Sequence, residues 1–275
     1  MAFVRNRARL IAARLICLLA LAATVSACSS APKRPPVGAE EPDKFLWEHG
    51  TTALNDRRWL VAREFFRQLM DSYPQSPYRA DAKLGIADSF LGEGTAESQV
   101  LAINEFREFL AYYPTHDRAH YAQFKLAMAH FYEMKGPARD QTETKEAIRE
   151  LTTYVQRYPD KPLYDEAKQR LREAKDRLSD AEYRVGEFYL RSRMSVPGAI
   201  DRFASILKTD PEFSRRDAVY YNMAQALVLV GQPAAAVPYL DKLIAEFDQS
   251  EYLERAQKQI AELKSKLDAQ IKKQP

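Results

Sequence analysis

Residues 102–114 read Ala-Ile-Asn-Glu-Phe-Arg-Glu-Phe-Leu-Ala-Tyr-Tyr-Pro. Counted from Ala102, apolar side chains stand at +1 (Ile103), +4 (Phe106), +7 (Phe109), +8 (Leu110) and +11 (Tyr113), and proline follows at +12. Steps of three and four place these side chains on one face of an α-helix. The small leading alanine lets a neighbouring helix approach closely. The proline disfavours helix in the residue before it, so the helix carries its own stop signal.

The same template recurs along the chain. One copy has Ala62, Phe66, Leu69, Met70, Tyr73 and Pro74, with Arg63 breaking +1. Another has Ala147, Ile148, Leu151, Tyr154, Val155, Tyr158 and Pro159. A fourth has Ala199, Ile200, Phe203, Ile206, Leu207 and Pro211, with Asp210 at +11. The last has Ala236, Val237, Leu240, Leu243, Ile244 and Phe247, with Asp248 in place of the proline. Between the copies, residues 44–54, 77–91, 118–134, 163–190 and 215–230 are amphipathic and read as partner helices. Gly231-Gln232-Pro233 ends one helix and starts the next. A final helix carrying Tyr252, Ala256, Ile260, Leu263 and Leu267, charged on its other face, would cap the stack. Strand signals are absent and glycine is scarce, at 9 residues. The expected fold is all-α, an α-solenoid of about five tetratricopeptide-like helix pairs plus a C-terminal capping helix. Gly50, Ala62, Phe66 and Pro74 match the tetratricopeptide pattern, whose ideal period is about 34 residues. Here the closing positions 74, 114, 159, 211 and 248 are 40, 45, 52 and 37 residues apart, so the repeats are stretched.

The N-terminus is of another kind. Arg5, Arg7, Arg9 and Arg14 precede an apolar run from Leu15 to Val25, and no acid occurs before Glu40. A basic start and a short apolar run describe a secretory signal peptide over residues 1–27. The run is shorter than the roughly 20 residues of a membrane-spanning helix. It ends in Val25-Ser26-Ala27-Cys28, which resembles the bacterial lipobox and implies cleavage before Cys28 and acylation of that residue. Several acyl chains anchor stably where one binds marginally. Residues 28–43 then form a Pro-rich tether. Ser29 is not the Asp of the enterobacterial inner-membrane retention rule, which favours the outer membrane.

The chain has 41 basic and 38 acidic residues; without the four leader arginines the balance is 37 to 38. A near-neutral body lacks the basic footprint of a nucleic-acid binder. Cys17 lies in the leader, so an acylated Cys28 leaves no thiol for a disulfide or a metal. His116 and His120 have a metal-ligating spacing, but His116 follows Pro114-Thr115 and should precede its helix. Phosphate-loop, nucleophile-elbow and His-Glu-x-x-His motifs are absent. No enzyme activity and no cofactor are expected.

A lipobox, a Pro-rich tether and stretched repeats together resemble the BamD family of the outer-membrane β-barrel assembly (BAM) machine. Local matches are Asp56-Arg57-Arg58-Trp59, Tyr73-Pro74-Gln75-Ser76-Pro77-Tyr78, Arg139-Asp140-Gln141-Thr142 and the run Glu182-Tyr183-Arg184-Val185-Gly186-Glu187-Phe188-Tyr189. Apart from that four-residue match, the loop at 136–142 departs from the family pattern, as does the basic tail from Lys264. The resemblance implies a lipid-anchored periplasmic scaffold at the outer membrane. Its residues 161–275 would bind the BamA periplasmic domains alongside other BAM subunits. Residues 44–160 would receive unfolded barrel precursors. It places Tyr73 and Tyr78 near the precursor's signal and matches Arg202 to an arginine that pairs with an acidic residue of BamA.

Other readings stand beside these. Tyr73 also fits the +11 core position. Trp47, Tyr121 and Lys125 could line the groove built by the first helix of each pair, or pack as core. Arg202 lies between Ile200 and Phe203 on the polar side of its helix, with its guanidinium expected to point outward; a solvated arginine fits there too. Other repeat lipoproteins, such as secretin pilotins and cell-wall hydrolase adaptors, share the anchor and the repeats, though pilotin repeats keep closer to the ideal period. The lipobox makes its own prediction. Cys28→Ala should block acylation and leave unprocessed precursor or soluble protein; radiolabelled palmitate on that variant would contradict the assignment.

Overall fold

The computed structural model describes residue 35 and residues 41–271, with side chains to residue 266. The leader, Cys28 and most of the tether lie outside the described residues, as does the side chain of Leu267. The described residues fold into helices with no strand, and no helix among them is long and apolar enough to cross a membrane. The chain divides into two compact units, the first ending at Glu93 and the second beginning at Gly94. The first holds α1 (Pro42–Asn55), α2 (Trp59–Ser72) and α3 (Arg79–Glu93). The second holds α4 (Ala96–Tyr112), α5 (Ala119–Tyr132), α6 (Thr142–Arg157), α7 (Tyr164–Ser192), α8 (Val196–Thr209), α9 (Arg216–Leu229), α10 (Pro233–Glu246) and α11 (Leu253–Ile271). Within each unit a helix packs mainly on its neighbours in sequence, the pattern of an α-solenoid. The 29-residue α7 absorbs the longest interval between repeats.

Each template copy closes in the same way. The +11 residue is the C-cap: its N–H donates to the carbonyl of the +7 residue at Tyr73, Tyr113, Tyr158, Asp210 and Phe247, at 2.8–3.0 Å. Its own carbonyl then accepts from the residue three further on, Ser76, His116, Lys161, Phe213 and Ser250 in turn. Proline at +12 has no N–H to continue the ladder, so the stop is chemical as well as steric. The tyrosines expected in the core at +11 are half-buried instead, because a C-cap lies at the rim of the helix interface. Asp248 replaces the last proline without changing this closure.

The template's inner positions form the core. Ala62, Ala102, Ala147, Ala199 and Ala236 are fully buried, and so are Phe106 and Phe203 at +4. The reason for a small residue opposite +4 is clearest at Phe66, 1% exposed. A Cβ on Gly50 of α1 would meet one edge of its ring at 2.5 Å, and a Cβ on Gly85 of α3 would meet the opposite edge at 2.3 Å. The ring is wedged between two bare backbones. In the second unit a Cβ on Gly186 would lie 2.7 Å from the ring of Phe203. Arg63, the one +1 position that breaks the pattern, is buried as well. Its guanidinium pairs with Glu93 at 2.9 Å and lies over the Phe90 ring at 4.4 Å.

Gly85→Ala tests the wedge. Alanine gains about 1 kcal/mol over glycine in a helix interior. Overpacking a filled site costs about 1–3 kcal/mol, and the ring has no room to retreat towards Gly50. Chemical denaturation should show net destabilisation, partly relieved by Phe66→Leu in the same chain. A neutral or stabilising Gly85→Ala would contradict the wedge.

Candidate functional site

The residues singled out from sequence fall into three groups. In the first unit Trp47 of α1 stacks on Tyr78, with ring centroids 5.0 Å apart and planes 19° apart. Local chemistry sets the pair. Ser76 Oγ donates to Asp43 at 2.7 Å and accepts from the Tyr78 N–H at 3.2 Å, which fixes the chain just before α3. Tyr73 is half-buried at the C-cap of α2, at the other end of the same turn.

The same device is built again near the other end of the chain. Ser250 Oγ donates to Asp217 at 2.6 Å and accepts from the Tyr252 N–H at 3.1 Å. Tyr252 stacks on Tyr221 at 4.9 Å, and the Arg255 guanidinium covers both rings. Repeat architecture therefore accounts for the Trp47–Tyr78 stack, whatever else binds there. In the second unit Tyr121 and Lys125 are one helical turn apart on α5, with the Lys125 ammonium 5.4 Å and the Arg118 guanidinium 4.8 Å from the Tyr121 ring.

Arg202 is the third group, and here the outward-pointing expectation is corrected. Its guanidinium turns back to α7 and pairs with Glu182, both side chains being about two-fifths exposed. The cause is proximity: Gly186 on the same helix lets Phe203 seat closely, which brings Arg202 alongside Glu182. Three residues of the run 182–189 are thereby accounted for. Glu182 holds Arg202, Gly186 admits Phe203, and the Tyr183 hydroxyl accepts from Asn222 at 2.8 Å. Burial pushes the Tyr183 phenol above its ordinary value, with the nearby Glu187 carboxylate adding to the effect.

Arg202 and Glu182 stand at the rim of a cleft of about 360 Å³ among α6, α7 and α8. Its apolar floor includes Ile148, Leu178 and Ile206, and Lys145 and Lys175 stand on its walls. Asp210, also in the cleft wall, is 6% exposed. Burial alone would raise its carboxyl, but hydrogen bonds from Arg172 and Ser179 and the charges of Arg172 and Lys175 hold it below the ordinary carboxylate value. The polar residue at a core position of the template is therefore a satisfied one. Sequence periodicity could not reveal this cleft. Its residues come from three helices up to 65 positions apart, and no spacing links them.

The two spaced histidines do not converge. His116 precedes α5, and its Nδ1 accepts from the Arg118 N–H at 3.2 Å. His120 lies edge-on to Tyr158, and burial, with Lys161 and Arg118 nearby, lowers its pKa. Among the described residues no group of three or more His, Cys, Asp or Glu is placed to hold a metal ion.

Helix pairs closed by one repeated C-cap, with aromatic wedges between them, define a helical-repeat protein of the tetratricopeptide type. The profile of the family described as "YfiO: Outer membrane lipoprotein" matches residues 39–238, and the chain belongs to that family, the BamD family. The outer membrane protein assembly factor BamD of Caulobacter vibrioides is 27% identical over 219 residues, covering 78% of this chain and 70% of the relative. BamD of Vibrio cholerae is 27% identical over 195 residues, covering 67% of this chain and 78% of the relative. Among solved structures, a MamA protein is similar over 77% of this chain and 94% of its own, at 16% identity and a TM-score of 0.35.

Proposed function

We propose that this chain is an outer membrane protein assembly factor of the BAM complex: a non-enzymatic scaffold, held at the periplasmic face of the outer membrane by acylated Cys28. The observation that carries the reading is the family match over residues 39–238, which includes all but the last of the helix pairs. In this reading residues 161–275 bind the BamA periplasmic domains, with Arg202 as a contact. Residues 44–160 receive unfolded barrel precursors, with Trp47, Tyr73 and Tyr78 as contacts in the first unit and Tyr121 and Lys125 as contacts in the second. An extended precursor offers alternating aromatic side chains and free backbone groups. The stacked Trp47–Tyr78 pair and the Tyr121–Lys125 pair supply flat apolar faces beside cationic or hydroxyl groups, which suits contact without sequence readout.

An arginine fork can grip a carboxylate through two parallel hydrogen bonds, which lysine cannot reproduce. Arg202→Ala is a cleaner test than a charge reversal, because Arg202→Glu would also face Glu182 within the chain. Calorimetry with the BamA periplasmic domains from the same cell should show binding by the parent chain. Binding by Arg202→Ala should be at least about tenfold weaker, a loss of about 1.4 kcal/mol. The unfolding free energy should change by no more than about 0.5 kcal/mol, as for a surface change. Absence of binding by the parent chain would contradict the proposed function. Undiminished binding by Arg202→Ala would remove that residue from the contact.

A further inference from the structure

The turn between α1 and α2 and the turn between α9 and α10 close in the same way. At the first, the Arg57 N–H donates to the Leu54 carbonyl at 3.0 Å and the Arg58 N–H to that of Ala53 at 2.8 Å. At the second, the Gly231 N–H donates to Val228 at 3.1 Å and the Gln232 N–H to Leu227 at 2.9 Å. Each turn needs a left-handed residue at its corner: Arg57 has a φ of 59° and Gly231 a φ of 78°. Glycine meets that need freely, whereas arginine meets it with strain. Counting back from the buried template alanines, Ala62 and Ala236, Arg58 corresponds to Gln232, Trp59 to Pro233 and Leu60 to Ala234. Packing accounts for Trp59, whose ring covers Gly92 of α3; a Cβ there would meet it at 2.7 Å. The fold does not require the other three. Leu60 is 61% exposed. Arg58 pairs with Asp56 in open solvent, and Arg57 has no carboxylate partner among the described residues.

We propose that Arg57, Arg58 and Leu60 form a contact with an anionic lipid surface, made by the first unit in addition to its acyl anchor. Two guanidiniums beside an exposed aliphatic side chain have the composition of an interfacial contact. Leu60 would enter the acyl boundary while the two cations stay among phosphate headgroups of opposite charge. The length of chain before α1 favours a membrane over a protein as the occupant. The fourteen residues from Cys28 to Glu41 span at most about 50 Å, and the 14 residues of α1 add about 21 Å. An anchor at Cys28 therefore confines the turn near the lipid and raises the effective concentration of headgroups around it, so a weak contact is enough. The reach of the turn rests on the reading of Cys28 as the acylated residue; its charge and exposure do not.

Residues 28–275 carrying Cys28→Ala, so that no acyl chain contributes, should be sedimented with two kinds of vesicle: phosphatidylethanolamine mixed with phosphatidylglycerol, and phosphatidylcholine alone. This chain should partition to the anionic vesicles at low salt, much less to the zwitterionic ones, and lose its binding at high salt. Adding Arg57→Gly, Arg58→Gln and Leu60→Ala copies the α9–α10 turn into the α1–α2 turn. That variant should bind the anionic vesicles at least about tenfold more weakly. It should melt no lower than its parent, because glycine relieves the left-handed corner. Arg57→Lys with Arg58→Lys should bind within about twofold of the parent, since a lipid surface responds to charge and a carboxylate held by an arginine fork does not accept lysine. No sedimentation, equal sedimentation with both vesicles, undiminished binding by the copied turn, or loss of binding by the lysine variant would overturn the proposal. If Cys28 carries no acyl chain in cells and the turn still binds vesicles, the lipidation reading fails and the contact stands.

Discussion

The ring of Phe66 lies edge-on between the backbones of Gly50 and Gly85, and the rest of the first unit is arranged around that contact. Three helices can approach one aromatic side chain so closely only if two of them carry no Cβ where they meet it. The second unit repeats the solution with Phe203 against Gly186. Elsewhere the fully buried alanine that opens each template gives the same closeness at lower backbone cost, since alanine favours the helix that glycine weakens. A ring in a tight slot fixes the spacing of neighbouring helices. The repeated C-cap fixes where each helix turns. With spacing and turn both set, the polar residues of each helix are displayed in fixed places.

Much of this was legible in the amino-acid order, because a helical core repeats at 3.6 residues and prolines mark its ends. Ala102, Phe106 and Phe109 could be assigned to the core from spacing alone, and they are fully buried. Gly231 and Pro233 announced the turn between α9 and α10, where Gly231 takes a positive φ of 78° and Pro233 opens the helix. The +11 position was misjudged for a physical reason. A C-cap residue points along the apolar face yet stands at the edge of the helix interface, so Tyr73 and Tyr113 are only half-buried.

Less legible was whatever depends on pairing between distant helices. Arg63 and Asp210 look like flaws in the pattern, but each is a buried charge with a partner: Glu93 in one case, Arg172 with Ser179 in the other. Neither partner stands at a helical spacing from the residue it satisfies. The Arg202–Glu182 pair escaped for the same reason, with the consequence that a side chain expected to point freely outward is tied to its neighbour. Conversely, the Trp47–Tyr78 stack looks special in isolation. Its recurrence as Tyr221–Tyr252, with the same serine and aspartate beside it, shows how far repeat geometry alone can produce an aromatic surface.

The central claim is that this helical-repeat protein works within the β-barrel assembly machinery. An affinity tag at the C-terminus of the full chain, detergent-solubilised membranes and mass spectrometry of what is retained test it most directly. The account predicts recovery of BamA in stoichiometric amount. Recovery of a secretin in its place, with no BamA, would contradict it.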